Sequence, residues 1–417
     1  MTDEHRADVV IVGAGVIGTA CAFELATRGA NVVVIDRGAV GHGCSYGNAG
    51  WLTPSLANPL PAPGVLRQAA RWAFDPDSPL YIRPSLRPSY LAWLARFALA
   101  ARHEPFLRGT EALVELSKYS LSTYARWSRE LPDPFGFEQR GLLMVTQTLK
   151  GLASAQKEIE LLTRLGVAAE PMDGEAVRQL EPAITANVPG GVFFPQEAHA
   201  EPLAVVRALA NAAESAGARF RTNTEVFGFD TQGATLSAAR TTRGTFSANQ
   251  FILAAGSWSR SLAQQLGLRV PVLGGKGYAI VVKPLLRTPK IPLKLLERRI
   301  AITPRADGLR LSGTLELVDG DERISPRRVA AILRGSRELL DIPDPPEIVE
   351  IWRGLRPCTP DGMPIIGKPA SYNNLLLVTG HQMLGLHCAP GTARLAADLL
   401  LGTKPFVDPT PFEATRF

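Results

Sequence analysis

Three glycines, Gly13, Gly15 and Gly18, stand at GxGxxG spacing, and a carboxylate, Asp36, follows 18 residues after the last of them. Glycine at the first position permits a tight turn. At the second it leaves no side chain to hold a pyrophosphate off the backbone, and at the third it lets a helix pack closely on a strand. A helix that starts there offers free N–H groups and a partial positive charge to phosphates. A carboxylate placed like Asp36 meets ribose hydroxyls. The chemistry these residues suit is dinucleotide binding.

Such a site needs a strand, a helix and a second strand to hold it. Residues 8–12, DVVIV, are a short apolar run with the β-branched bias of a buried parallel strand. Residues 17–28 read as a helix ended by Gly29, and residues 32–35 form a second buried strand closed by Asp36. The next stretch, RGAVGHGCSYGNAGWL at 37–52, is rich in glycine and small residues and would bring backbone amides to a second part of the ligand.

A chain of 417 residues with 46% hydrophobic content suits two domains with large cores. Its net charge of +6 is a mild bias that suits anionic small molecules or an anionic membrane surface. No clustered basic stripe with interleaved aromatics is present, so nucleic acid is not expected as a partner. The four cysteines, Cys21, Cys44, Cys358 and Cys388, form no CxxC pair, which argues against a zinc site or a disulfide framework. No metal is expected. The polar start runs directly into the first strand, without a signal peptide, and no apolar run approaches the ~20 residues that span a bilayer. The expectation is a cytoplasmic chain.

Further along, prolines punctuate 54–88, and 89–103 reads as an amphipathic helix. Trp72, Phe74 and Tyr81 together with arginines between 67 and 102 would suit a membrane surface, the alternative being a helix packed on its own domain. Helices are expected at 111–130, 151–165, 202–216, 326–340 and 388–401. Strands are expected at 137–146, 191–194, 218–229, 250–255 and 375–379, with a small antiparallel meander at 236–247 and mostly strands in 270–352. Regular βα alternation is absent. One α/β sheet is therefore assembled from distant pieces, with a mainly antiparallel α+β domain inserted between them.

Several separate stretches resemble the flavin amine oxidoreductases of the D-amino-acid oxidase and glycine oxidase superfamily, most nearly the bacterial D-amino-acid dehydrogenases. They are VVIVGAGVIG with VVVID, CSYGNAGWL, TEV at 224–226, FILAAGSWS at 251–259, KGY at 276–278, GLRPCTPDGMPIIG at 354–367 and TGHQMLGL at 379–386. The resemblance implies a Rossmann-type FAD-binding domain from 1–52, 201–265 and 354–417, and a substrate-binding domain from 53–200 and 266–353. It places Gly13, Gly15, Val16, Ile17, Gly18, Asp36 and Arg37 on the ADP half of FAD, and pairs the Val226 backbone with adenine. Ser45, Asn48, Ala49 and Gly50, followed by Trp51 and Leu52, match the loop under the pyrophosphate and isoalloxazine. Ala255 and Gly256 match the strand end beneath the cofactor, and Gly385, Leu386 and His387 the turn beside the flavin pyrimidine ring. A helix N-terminus there would stabilise the negative charge of reduced flavin.

The same resemblance makes Arg356 the group that holds the substrate carboxylate, because a planar guanidinium grips a carboxylate with two parallel bonds. Arg353 is the alternative, or else a structural ion-pair partner. Tyr278 is a candidate second donor or pocket wall, with a core tyrosine as the other reading. His381 either contacts the flavin or shapes its loop. Where glycine oxidases carry arginine and asparagine, this chain has Met383 and Leu384, which would leave the site more apolar. Gly354 stands where sarcosine oxidases carry the flavin-tethering cysteine, and Cys358 is offset from it, so FAD is expected without a covalent bond. The implied activity is oxidation of a small apolar or cyclic D-amino acid, such as D-proline or D-hydroxyproline, to its imine, with the electron acceptor left open among quinone, dye and oxygen. The alternatives are a glycine- or sarcosine-type oxidase, an FAD subunit of a heteromeric dehydrogenase, and a nicotinamide dehydrogenase sharing only the first βαβ unit.

Overall fold

The computed structural model describes residues 5–72, 77–317 and 321–417; Phe74 and Pro76 lie outside them. Among the described residues the chain builds two large sheets and a two-stranded ribbon, and one core with helices in it joins residues of both large sheets. In the first, the parallel strands Arg6–Val12, Val32–Ile35 and Arg219–Arg221 lie side by side, and Gly244–Leu253 pairs with the free edge of Arg6–Val12. Their Val and Ile residues alternate between two buried faces, as a sheet covered on both sides requires. Helices Val16–Thr27, Pro202–Ser215 and Gly385–Leu401 pack together over one face.

Gly244–Leu253 is one continuous strand that changes partners along its length. Its first half closes the antiparallel meander of Val226–Gln232 and Thr235–Thr241, and its second half runs parallel to Leu375–Thr379. The meander and the strand expected at 250–255 are thus one element. By contrast, the single strand expected at 218–229 is two. Asn223 turns with φ +50°, and the Thr224 amide bonds the Asp36 carbonyl at 2.8 Å, carrying the chain from one edge of the sheet to the other.

The second sheet is mainly antiparallel and runs from Ile348–Cys358 through Leu273–Val282, Gly308–Leu317, Ile300–Arg305 and Leu293–Leu295 to Leu142–Thr146 and Gly190–Phe194. The expected boundary at 354 falls inside its edge strand, since residues 354–358 pair with Leu273–Val282. Residues directly opposite across strands share a face. The register therefore lays out one row, Trp352–Ala279–Ser312–Ala301–Lys294–Met144–Val192, on the face turned to the first sheet. Met144 and Val192 join the core that also holds Trp51 and the helix Gly385–Leu401. The opposite face packs on the helix Pro326–Arg337.

The strand expected at 137–146 is regular only over Leu142–Thr146. The helix His103–Glu130 starts earlier than expected, because Pro105 sits in the first turn, where no intrahelical N–H bond is lost. Pro88–Ala100 buries Tyr90, Trp93 and Phe97 against its own domain. Among the described residues no helix is long and apolar enough to cross a membrane.

Candidate functional site

An elongated cleft opens at the carboxyl ends of the parallel strands, lined by Val12, Ile35, Ala254 and Thr379, where α/β sheets bind ligands. At its floor Gly13 adopts φ +114°, and a Cβ there would lie 2.5 Å from the Ala254 carbonyl oxygen. A Cβ on Gly18 would lie 1.8 Å from the Gly13 carbonyl oxygen, so the helix can approach this turn only because residue 18 is glycine. Gly18 itself lies behind the turn. Gly15, Val16 and Ile17 line the cleft, and the Ser45 hydroxyl accepts the Val16 amide at 3.0 Å.

Asp36 lines the same cleft, and its carboxylate oxygens accept the Ala14 and Gly38 amides at 2.7 and 2.8 Å. Both oxygens keep a lone pair for ribose hydroxyls. Beyond it the Arg37 guanidinium stacks 4.2 Å over Trp258, with Val226 beside them. Trp258 was not singled out in the sequence, although it stands in FILAAGSWS. Ala255 and Gly256 line the same end. Bare glycine backbone, a prepared carboxylate and a flat cation–aromatic pair together fit an ADP moiety.

At the other end the helix Gly385–Leu401 begins without a side-chain cap, and Gly385 and Leu386 line the cleft. Its unclaimed N–H groups suit an anionic ring edge. His381 lines the cleft, with Nε2 3.1 Å from the Thr392 hydroxyl, and burial pushes its pKa down to about 3. It is a neutral brace for the turn. Gln382, beside it at φ +52°, has a buried Nε2 without a partner. Only its place inside TGHQMLGL signalled it.

Asn48 lines the cleft, while Ala49, Gly50, Trp51 and Leu52 pass behind it. The Asn48 and Ala49 carbonyls accept from Arg310 at 2.9 Å and Thr303 at 2.7 Å, which ties this loop to the second sheet. Trp51–Leu52 pairs with Ala198–His199, and His387 is buried in the first helical turn away from the cleft wall.

Arg356 projects from the face of Ile348–Cys358 that looks toward this loop. Its Nη1 donates to the Thr314 carbonyl at 2.7 Å, and its guanidinium lies over Gly277. Among the described residues no carboxylate pairs with it. Its neighbours are Cys44 and Cys358, whose thiols burial pushes up to about 11 and about 12, so they do not neutralise it. Arg353, on the opposite face, pairs with Glu322 at 2.6 Å.

Tyr278 is placed differently from the expectation. The register turns it to the far face of the sheet, where its hydroxyl donates to Glu316 at 2.7 Å in a buried group with Lys276 and Arg328. It does not meet Arg356. The apolar contribution expected of Met383 and Leu384 is also missing: Leu384 enters the core, Met383 is 38% exposed, and neither lines the cleft.

The frame is stiff where cleft and arginine meet. The Gln382 amide donates to the Pro357 carbonyl at 3.0 Å, Cys358 bridges His381, and the Ser257 hydroxyl donates to the Leu355 carbonyl at 2.7 Å.

Comparison with known proteins agrees with this geometry. The family model described as FAD-dependent oxidoreductase (DAO) matches residues 8–399. D-amino acid dehydrogenase of Granulibacter bethesdensis is 33% identical over 98% of this chain and 99% of its own length. That of Cereibacter sphaeroides is 32% identical over 98% and 95%. Glycine oxidase of Geobacillus kaustophilus superposes with a TM-score of 0.81 at 26% identity, covering 99% of both chains. L-proline dehydrogenase of P. horikoshii, at 19% identity and a TM-score of 0.78 over 96% of this chain and 95% of that one, shares the fold. The chain belongs to the DAO family of FAD-dependent oxidoreductases, and FAD is the dinucleotide its cleft is built to hold.

Proposed function

We propose that the chain oxidises a small D-amino acid at Cα, yielding the imine. The carrying observation is Arg356, which stands between the cleft-lining Leu355 and Pro357, lies near the cleft residue Cys44, and has no acidic partner among the described residues. A charge so placed calls for an anion from outside, and a planar fork suits a carboxylate. The D configuration and the amine come from relatives at 31–33% identity named D-amino acid dehydrogenase.

Bound FAD supplies the two-electron acceptor for a hydride from Cα. The chain supplies orientation. Arg356 anchors the carboxylate, and the backbone ties of the following Pro357 and Cys358 to the turn at 381–382 keep that anchor at a set place relative to the cofactor. The uncapped first turn of Gly385–Leu401 would hold the anionic edge of the ring. The substrate amine enters neutral, its lone pair forms the C=N bond as the hydride leaves, and the resulting iminium releases one N–H proton to water to give the imine. Gly354 and the Trp352 ring leave no room for a tethering cysteine, since a Cβ on Gly354 would lie 2.0 Å from Trp352. This supports FAD held without a covalent bond.

The electron acceptor is a separate molecule, quinone or oxygen, met at the cytoplasmic side of the membrane. Exposed Leu86, Leu91 and Leu99 beside Arg83, Arg87 and Arg96 support contact with anionic lipid. Salt-sensitive co-sedimentation with anionic vesicles checks that contact.

The test of function is anaerobic bleaching of the flavin by D-alanine, D-methionine, D-proline and cis-4-hydroxy-D-proline beside their L-forms and glycine. D-forms should bleach fastest. Faster bleaching by an L-form, or by glycine alone, overturns the assignment.

A further inference from the structure

Behind the cofactor turn several buried polar atoms meet no partner. Trp51 and His199 are opposite one another in the ribbon, and Thr53 follows Trp51 in extended backbone (φ −131°, ψ 87°), so both Trp51 and Thr53 project from one side. Trp51 is 5% exposed, Thr53 0%, and His387 6%, yet Trp51 Nε1, Thr53 Oγ1 and His387 Nδ1 have no hydrogen-bond partner. On the facing row of the second sheet, the Ser312 hydroxyl is likewise buried and unpartnered. Lys294 stands two strands along the same row, beyond Ala301, and makes no ion pair or hydrogen bond among the described residues.

These groups share one neighbourhood. The loop carbonyls of Asn48 and Ala49 rest on Arg310 and Thr303, one step along the strands from Ser312 and Ala301. The buried His387 ring lies near the Thr53 backbone and within reach of the Lys294 charge. His387 also follows Leu386, which lines the FAD cleft. The group thus adjoins the cofactor cleft through Asn48 and Leu386, which line it, and its sheet residues stand on the same face as Arg356.

The set is dominated by donors: an indole N–H, an ammonium and two hydroxyls. Leaving the indole N–H, the two hydroxyls and the imidazole Nδ1 buried and unpaired is costly, and native proteins avoid it unless water or a ligand completes them. We propose that Lys294, Trp51, Thr53, Ser312 and His387 form a side-chain subsite that recognises an oxygen acceptor, a hydroxyl or a carboxylate, carried by the substrate beyond Cα. The proposal rests on Arg356 holding the α-carboxylate, and it narrows the substrate class to compact D-amino acids with an oxygen-bearing side chain or ring.

The test uses the full-length FAD-loaded protein. Flavin absorbance is titrated with two ligands that cannot be oxidised, pentanoate and glutarate, and anaerobic flavin reduction is compared for D-proline and cis-4-hydroxy-D-proline. A hydrogen bond to a charged group corresponds to a preference of about tenfold or more for the oxygen-bearing member of at least one pair. A preference confined to glutarate identifies the acceptor as carboxylate, and one confined to the hydroxylated ring as hydroxyl. Lys294→Met should bring the preference close to one. Thr53→Val, nearly isosteric, should reduce it and guards against misfolding of the first variant, with FAD content as the check. Preferences unchanged in both variants, or absent in the unmodified protein, overturn the subsite and leave a chamber that holds water only. No flavin response to any carboxylate overturns the Arg356 reading instead, and the subsite with it.

Discussion

Replacing Gly277 by alanine should disable Arg356 without altering it. A Cβ at this position would lie 2.0 Å from Arg356 Nη1, 2.1 Å from Cζ and 2.3 Å from Nη2. Ordinary contact begins near 3.4 Å, so the guanidinium must retreat by roughly 1.4 Å. The backbone has no need to move, because the clash is with the free end of a long side chain held by a single hydrogen bond to the Thr314 carbonyl. A misplacement of about 1 Å in an anchoring group costs on the order of a hundredfold in rate. Loss of a charge-assisted bond to the substrate carboxylate costs about 1.5–3 kcal/mol in binding. Stopped-flow anaerobic reduction by a D-amino acid measures both effects, through the limiting rate and the half-saturating concentration. FAD content and melting temperature should stay near those of the unmodified protein, since Gly277 lines no part of the cofactor cleft. Arg356→Lys, which keeps charge but loses the fork, should fall in the same range. If Gly277→Ala reduces its flavin with unaltered rate and affinity, the guanidinium over Gly277 is not the carboxylate anchor.

Glu197 is buried, takes only the Ser55 amide on one oxygen, and is pushed by burial from 4.5 up to about 8. A raised acid contributes stability that is intact below about 4.5 and lost as pH rises through about 8, so Glu197→Gln should flatten the fall in melting temperature between pH 5 and 9. The gain at the alkaline end is on the order of 5 kcal/mol, and parallel curves would refute it. Burial also pushes the Lys294 amine down to about 8, with Glu158 raising it and Arg299 lowering it. Any glutarate preference should therefore be present below that pH and fade above it, and a pH-independent preference would exclude the lysine as its source. Acid precipitation should release FAD into the supernatant, whereas yellow colour retained by the pellet would show a covalent bond.

The cofactor half of the site was legible because its parts are contiguous. Gly13, Gly15, Gly18 and Asp36 occupy one βαβ unit, and the spacing that suits a dinucleotide is the spacing that folds the unit. The turn at 379–386 was legible for the same reason. Tyr278 was not, because KGY does not reveal its face. The register on Ile348–Cys358 and the irregularity between Lys276 and Tyr278 against Gly308–Leu317 decide that, and both depend on partners far along the chain. Leu384 read as a pocket residue because it stands where glycine oxidases carry a polar side chain, but the helix entry turns it into the core. The polar group of Trp51, Thr53, Lys294 and His387 comes from three distant segments, and although Trp51 and His387 lie in or next to recognisable motifs, only the assembled sheet face brings them to Lys294. The break at 222–225 escaped notice because apolar residues continue on both sides of it, while the cause is a single left-handed Asn223.

The bonds joining Pro357 and Cys358 to Gln382 and His381 make Arg356 and the cofactor turn parts of one backbone truss. On the proposed role of Arg356 as carboxylate anchor, such a truss would act as a ruler with its zero mark at the guanidinium, and every substrate would be measured outward from there, whatever its size. Divergence in specificity then has little freedom at the anchored end. It falls to the far end, where Ala301 and Lys294 sit on short strands whose side chains can be exchanged without shifting the zero. Substitution there would redirect such an enzyme toward longer, shorter or differently charged substrates while the chemistry at Cα keeps its geometry.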